Sequence, residues 1–116
     1  MRRNVKVYLT DILQNMQDAQ DFLQGLSYEQ FRGDKKTYNA VLRSIEVIGE
    51  AAKHVPADLR AKYPQVPWRE MAGMRDIVSH FYFGVDAEVV WAVVTDRIPT
   101  LGPLIETILR DLGRQE

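Results

Sequence analysis

Apolar residues recur along most of this chain at intervals of three and four. Val5, Tyr8, Leu9, Ile12, Met16, Ala19, Phe22 and Leu23 keep that spacing, which predicts an amphipathic helix over Val5–Leu23. Gly25 stands where such a helix would be capped at its C-terminus. Ser27, with Gln30 three residues on, reads as a short capped turn of helix. Asp34 offers an N-cap to a second long helix, and Pro56 closes it. Its apolar line is Tyr38, Val41, Leu42, Ile45, Ile48, Ala51 and Ala52.

The middle of the chain is broken by Pro56, Pro64 and Pro67 into two short stretches, 57–62 and 68–71, which read as single helical turns. Pro67 suits a first helical position, where its missing N–H is not needed. A helical pattern resumes over 74–83 and ends at Gly84. Asp86 then caps a further helix with Val89, Val90, Val93, Val94 and Ile98 on one face. The paired valines favour sheet by propensity. Their spacing of four, the lack of alternation and the absence of any partner strand favour helix. Pro99 and Pro103 are expected to break or kink the chain before a last helix over 104–112, which Gly113 ends. The expected fold is all-α, an up-down bundle of four or five helices.

Composition narrows the classes. The 116 residues amount to one domain, 1–116, and the 46% apolar fraction is enough for a core without staples. There is no cysteine, hence no disulfide framework, thiolate metal site or cysteine nucleophile. No apolar run approaches the ~18 residues that a membrane span needs. The start, Met1-Arg2-Arg3-Asn4, has no apolar signal core behind its charges, so a soluble cytoplasmic protein is expected. Fifteen basic residues against sixteen acidic ones give a net charge of −1, which speaks against a strongly basic nucleic-acid binder.

Only the stretch 71–84 concentrates reactive groups. On a helical wheel at ~100° per residue, Met74, Ile77, Val78 and Phe81 share the quadrant that must face the core. Arg75, Ser79 and Tyr82 fall on one flank, and Asp76 and His80 on the other. Asp76 is therefore placed to orient or charge the His80 imidazole. Arg75 and His80 stand ~140° apart, so one ideal helix does not aim both at the same point. Either the arginine reaches round, or the helix ends early, or a second copy supplies the missing group across a two-fold axis. His54, beside Lys53 near a helix end, reads as a surface or dipole-compensating residue. Glu46 and Glu50 read as a solvated face paired with Arg43 and Lys53, with Glu50 a lesser candidate to line the site. Trp68 and Trp91 read as core or interface anchors.

The arrangement Arg75-x-x-x-x-His80-x-Tyr82 resembles the RxxxxHxY signature of HepT-like toxins in the HEPN superfamily. The ordered set around it strengthens the likeness: Ile48-Gly-Glu-Ala-Ala52, Tyr63-Pro64, Pro67-Trp68-Arg69-Glu70, Gly73-Met74-Arg75-Asp76, Tyr82-Phe-Gly-Val-Asp86 and Val90-Trp91. The resemblance implies an all-α HEPN domain that dimerises so that two RxxxxH motifs line one cleft, with a higher assembly open. It implies a metal-independent endoribonuclease acting as the toxin of a type VII HEPN/MNT toxin–antitoxin pair. The implied partner is an MntA-like nucleotidyltransferase antitoxin that attaches AMP to the motif tyrosine. By position, Arg75 and His80 would be catalytic, Asp76 the polar residue supporting them, and Tyr82 the AMP acceptor.

The residue chemistry is consistent with that expectation. RNA carries its own nucleophile, the 2′-hydroxyl, so the protein need only move protons and stabilise charge on phosphorus. Histidine titrates near neutrality, and an arginine fork matches phosphate oxygens. No metal-ligand cluster stands out, so no metal or other cofactor is expected. The alternative is a non-catalytic helical module that binds a nucleotidyltransferase or a nucleotide; a site-free helical dimer is the third reading. Residues 53–75 hold Lys53, Arg60, Lys62, Arg69 and Arg75 against Asp58 and Glu70. They predict a small positive cleft on an otherwise neutral dimer, binding RNA weakly and with strong salt dependence.

Overall fold

The computed structural model describes residues 4–76 and 87–114, and every regular element among them is helical. Helix α1 spans Val5–Leu23, as its apolar spacing predicts. Leu9, Ile12, Met16, Ala19 and Leu23 form its buried stripe, and Asn4 caps it by accepting the Lys6 amide. Phe22, expected on the same face, is instead exposed; its neighbour Leu23 takes the inward position in the last turn. Gly25 sits at φ +81°, the left-handed geometry that ends a helix without a Cβ penalty.

Ser27 and Gln30 close a reciprocal capping box on α2, Tyr28–Arg32. Asp34 then caps α3, Lys35–Lys53, accepting from both the amide and the hydroxyl of Thr37. Those bonds to the ionised form hold the Asp34 carboxyl below its ordinary value. Tyr8 near the start of α1 stacks on His54 at the end of α3, so the two long helices run antiparallel. Val41, Leu42, Ile45, Ile48 and Ala52 of α3 are buried in the same core as the stripe of α1.

Short helices α4, Ala57–Lys62, and α5, Trp68–Ala72, follow. Pro67 stands at the cap of α5, one residue before the expected first helical position. Trp68 is the buried anchor predicted for it, and its indole N–H donates to the Tyr63 carbonyl at 3.0 Å. Tyr63 in turn donates its phenol to Asp111 at 3.0 Å; burial and that carboxylate hold its pKa above the ordinary value. Trp91 packs half-buried against Tyr28 and Phe31.

The C-terminal helical run is continuous. Helix α6, Ala87–Ala92, passes through a π turn, Val93–Arg97, into α7, Ile98–Arg114. The valines are helical, with Val90, Val93, Val94 and Ile98 buried. Neither Pro99 nor Pro103 ends the helix, and Gly113 lies within it, which corrects the expectation of a break before 104. The widened turn explains the first proline. Ile98 N–H bonds back to the Val93 carbonyl, five residues away, so the ladder is already loosened where Pro99 brings no N–H. Arg97 also ties this turn to α5 through two bonds to Glu70, at 2.6 and 2.8 Å. The result is the all-α bundle that the sequence predicts. Asp86 and the helical stretch expected over 77–83 lie outside the described residues.

Candidate functional site

Arg75 and Asp76 sit where the chain turns back into helix after α5. Gly73 caps α5 by bonding back to Arg69 and Met71, and residues 74–76 resume helical geometry. Met71 and Met74 are buried, which pins the segment to the core beneath α3. The two elements meet at Gly49 of α3. A Cβ there would lie 2.5 Å from the Arg75 backbone nitrogen and 3.2 Å from the Ala72 carbonyl oxygen. Only glycine allows α3 to lie this close to the residue that opens the motif.

Met74 faces inward, as the wheel predicts, and Arg75 and Asp76 then leave the helix on opposite flanks. On the first flank Arg75 borders a hollow of about 520 Å³ between α1 and α3, lined by Tyr8, Asp11, Glu46, Glu50 and His54 among others. Its guanidinium Nη1 stands 2.7 Å from Glu50 Oε2, with the two side chains 49% and 46% exposed. The other Glu50 oxygen lies 3.8 Å from His54 Nε2, and the His54 ring stacks on Tyr8 with centroids 5.2 Å apart. The expected Arg43–Glu46 pair is present at 2.7 Å.

Glu50, however, pairs with Arg75 and not with Lys53, and His54 belongs to the same hollow. Helical periodicity shows which residues share a face of α3; it does not show that Arg75 packs over that face. The one signal available was Gly49, a glycine inside an amphipathic helix next to Glu50, which marks a close backbone approach.

On the second flank Asp76 borders a shallow hollow of about 590 Å³ with Lys53, Arg60, Trp68 and Arg69. The basic middle segment is therefore divided. Three of its cations gather around Asp76, whereas Arg75 turns to the acidic rim of the other hollow. His80 and Tyr82, like Ser79, lie outside the described residues, and so does the proposed contact of Asp76 with His80. Among the described residues no group of three His, Cys, Asp or Glu is placed to hold a metal ion.

The family model described as HepT-like, "Ribonuclease HepT-like", matches residues 12–108. The chain belongs to the HepT-like ribonuclease family. A "Putative RNase" of Methanocaldococcus jannaschii is 46% identical over 99% of this chain and 95% of its own length. A "Probable ribonuclease HepT" of Thermococcus cleftensis is 46% identical over 87% of this chain and 92% of its own. A "Putative RNase" of Caldanaerobacter subterraneus is 41% identical over 89% of this chain and 92% of its own. No solved structure matches the chain. HepT-like membership supports a ribonuclease with RNA as substrate. Among the described residues no helix is long and apolar enough to cross a membrane.

Proposed function

We propose that this HepT-like chain is a metal-independent endoribonuclease, acting as a homodimer and serving as the toxin of a type VII toxin–antitoxin pair. Residues 1–116 form its single HEPN-like domain in this reading. The observation that carries it is the placement of Arg75: a half-exposed guanidinium at the edge of a hollow, in a chain of ribonuclease relatives. The 2′-hydroxyl of RNA attacks the adjacent phosphorus. A 2′-O–P bond forms, the bond to the 5′-oxygen breaks, and the products are a 2′,3′-cyclic phosphate and a 5′-hydroxyl.

Arg75 binds the phosphate oxygens and stabilises the charge that grows on them. His80 transfers the proton, and Asp76 orients its imidazole. Arg75 and Asp76 leave the helix on opposite flanks, which supports a two-fold arrangement in which one copy's arginine meets the other copy's histidine. Glu50 positions the Arg75 fork and competes with phosphate for it. Glu50→Gln is therefore expected to lower kcat while KM stays the same or falls. A Glu50 that served packing alone would move neither.

The partner in this reading is an MntA-like nucleotidyltransferase antitoxin, which attaches AMP to Tyr82. An adenylyl group there adds bulk and negative charge near the arginine and so excludes RNA phosphate. Mass spectrometry after co-expression with that enzyme tests this. The peptide holding Tyr82 should gain the mass of AMP, and the Tyr82→Phe protein should gain none. An unmodified peptide would remove the antitoxin half of the proposal.

A further inference from the structure

Two groups of basic residues stand apart in this nearly neutral chain. Arg32, Arg43, Arg75 and Arg97 each stand within ion-pair distance of a glutamate. Lys53, Arg60 and Arg69 have no such partner among the described residues, and all three are exposed. They come from three separate elements, the last turn of α3, α4 and α5, yet border one hollow of about 590 Å³. Three cations against the single carboxylate of Asp76 leave the hollow with an excess of positive charge, so the arrangement favours an anionic occupant.

The floor of the hollow is consistent with a chain-like ligand. Ala72 and Gly73 are small and half-buried, and Trp68 is buried with its N–H already donated to Tyr63, so between the cations the lining is of small or apolar residues. The single acidic residue at its edge is Asp76, next in sequence to Arg75. The hollow therefore adjoins the catalytic segment but lies on the flank that Arg75 does not use.

We infer that Lys53, Arg60 and Arg69 form a binding site for the phosphodiester backbone of single-stranded RNA, holding the substrate strand beside the cleavage site. The inference rests on the ribonuclease reading and adds to it where the strand runs. Its affinity is electrostatic and carries no base specificity.

The test is binding of a fluorescent single-stranded RNA oligonucleotide, 2′-O-methylated throughout so that it cannot be cleaved, titrated at several salt concentrations. The variant Lys53→Ala/Arg60→Ala/Arg69→Ala is expected to bind about tenfold to a hundredfold more weakly at 0.1 M salt. Its plot of log affinity against log salt should be shallower by about 2, since each phosphate contact to a single strand contributes roughly 0.7. Single glutamine substitutions at the three positions should each remove about a third of that slope change. Thermal stability at low salt should stay the same or rise, because repulsion is relieved.

A control of equal charge change, Lys35→Ala/Lys36→Ala/Arg114→Ala, should leave affinity and slope as in the parent. Unchanged affinity and slope in the first variant, or an equal loss in the control, would overturn the inference. So would unchanged RNA binding with lost co-purification of the co-expressed nucleotidyltransferase, which would assign the hollow to a protein partner. The binding assay needs no cleavage, so an inactive parent protein would count against the ribonuclease reading without deciding this one.

Discussion

Arg75→Ala should lower RNA cleavage about 10²–10³-fold at saturating substrate while leaving the fold intact. The magnitude is that of removing one group aimed at transition-state charge. The fold should survive because the Arg75–Glu50 pair is half-exposed, and pairs of that kind contribute within about 1 kcal/mol. Arg75→Lys separates the two roles. A lysine keeps a positive charge for Glu50 but loses the planar fork that takes two phosphate oxygens at once. The expected result is parent-like unfolding with most of the activity still missing. Activity that returned with the charge alone would mean that Arg75 serves as a counter-ion to Glu50.

Gly49→Ala should damage stability and activity together. The added methyl would lie 2.5 Å from the Arg75 nitrogen, 3.1 Å from its Cβ and 3.2 Å from the Ala72 oxygen. Two of these are backbone atoms, so no side chain can rotate away. Overpacking of this kind costs about 1–3 kcal/mol, partly offset by the roughly 1 kcal/mol by which alanine favours a helix over glycine. The remaining strain pushes the Arg75 segment off α3, and misplacement by about 1 Å can cost a hundredfold in rate. Gly33→Ala is the matched control, since its Cβ would meet nothing closer than 3.7 Å. Urea unfolding and RNA cleavage on both variants check the prediction. Equal behaviour of the two would show that α3 and the motif segment tolerate separation.

The contrast between these positions shows what the chain discloses before it folds. The bounds of α1, the Ser27–Gln30 capping box and the Asp34 cap are written in short-range patterns, and each is found where the pattern puts it. Pro99 and Pro103 mislead because a proline disrupts an ideal α-ladder, whereas here a π turn precedes Pro99 and the helix carries Pro103 within it. At the site, the wheel already separates Arg75 from Asp76 onto two flanks. It does not show that Glu50, twenty-five residues earlier, meets Arg75 while Lys53 turns to the other hollow. Those pairings depend on how α3 crosses the motif segment, and local periodicity carries no information on a crossing. Nor does it show that, of the basic residues in 53–75, Lys53, Arg60 and Arg69 border one hollow and Arg75 the other.

In the proposed reaction Arg75 and His80 cleave RNA without a metal ion. The most direct measurement is incubation of purified protein, free of any nucleotidyltransferase, with single-stranded RNA in excess EDTA, with the product ends identified by mass spectrometry. The expected result is cleavage to 2′,3′-cyclic phosphate and 5′-hydroxyl ends, lost in His80→Ala and in Arg75→Ala. Intact RNA with the parent protein in EDTA but cleavage on adding a divalent metal ion, or cleavage that persists in both variants, would contradict it.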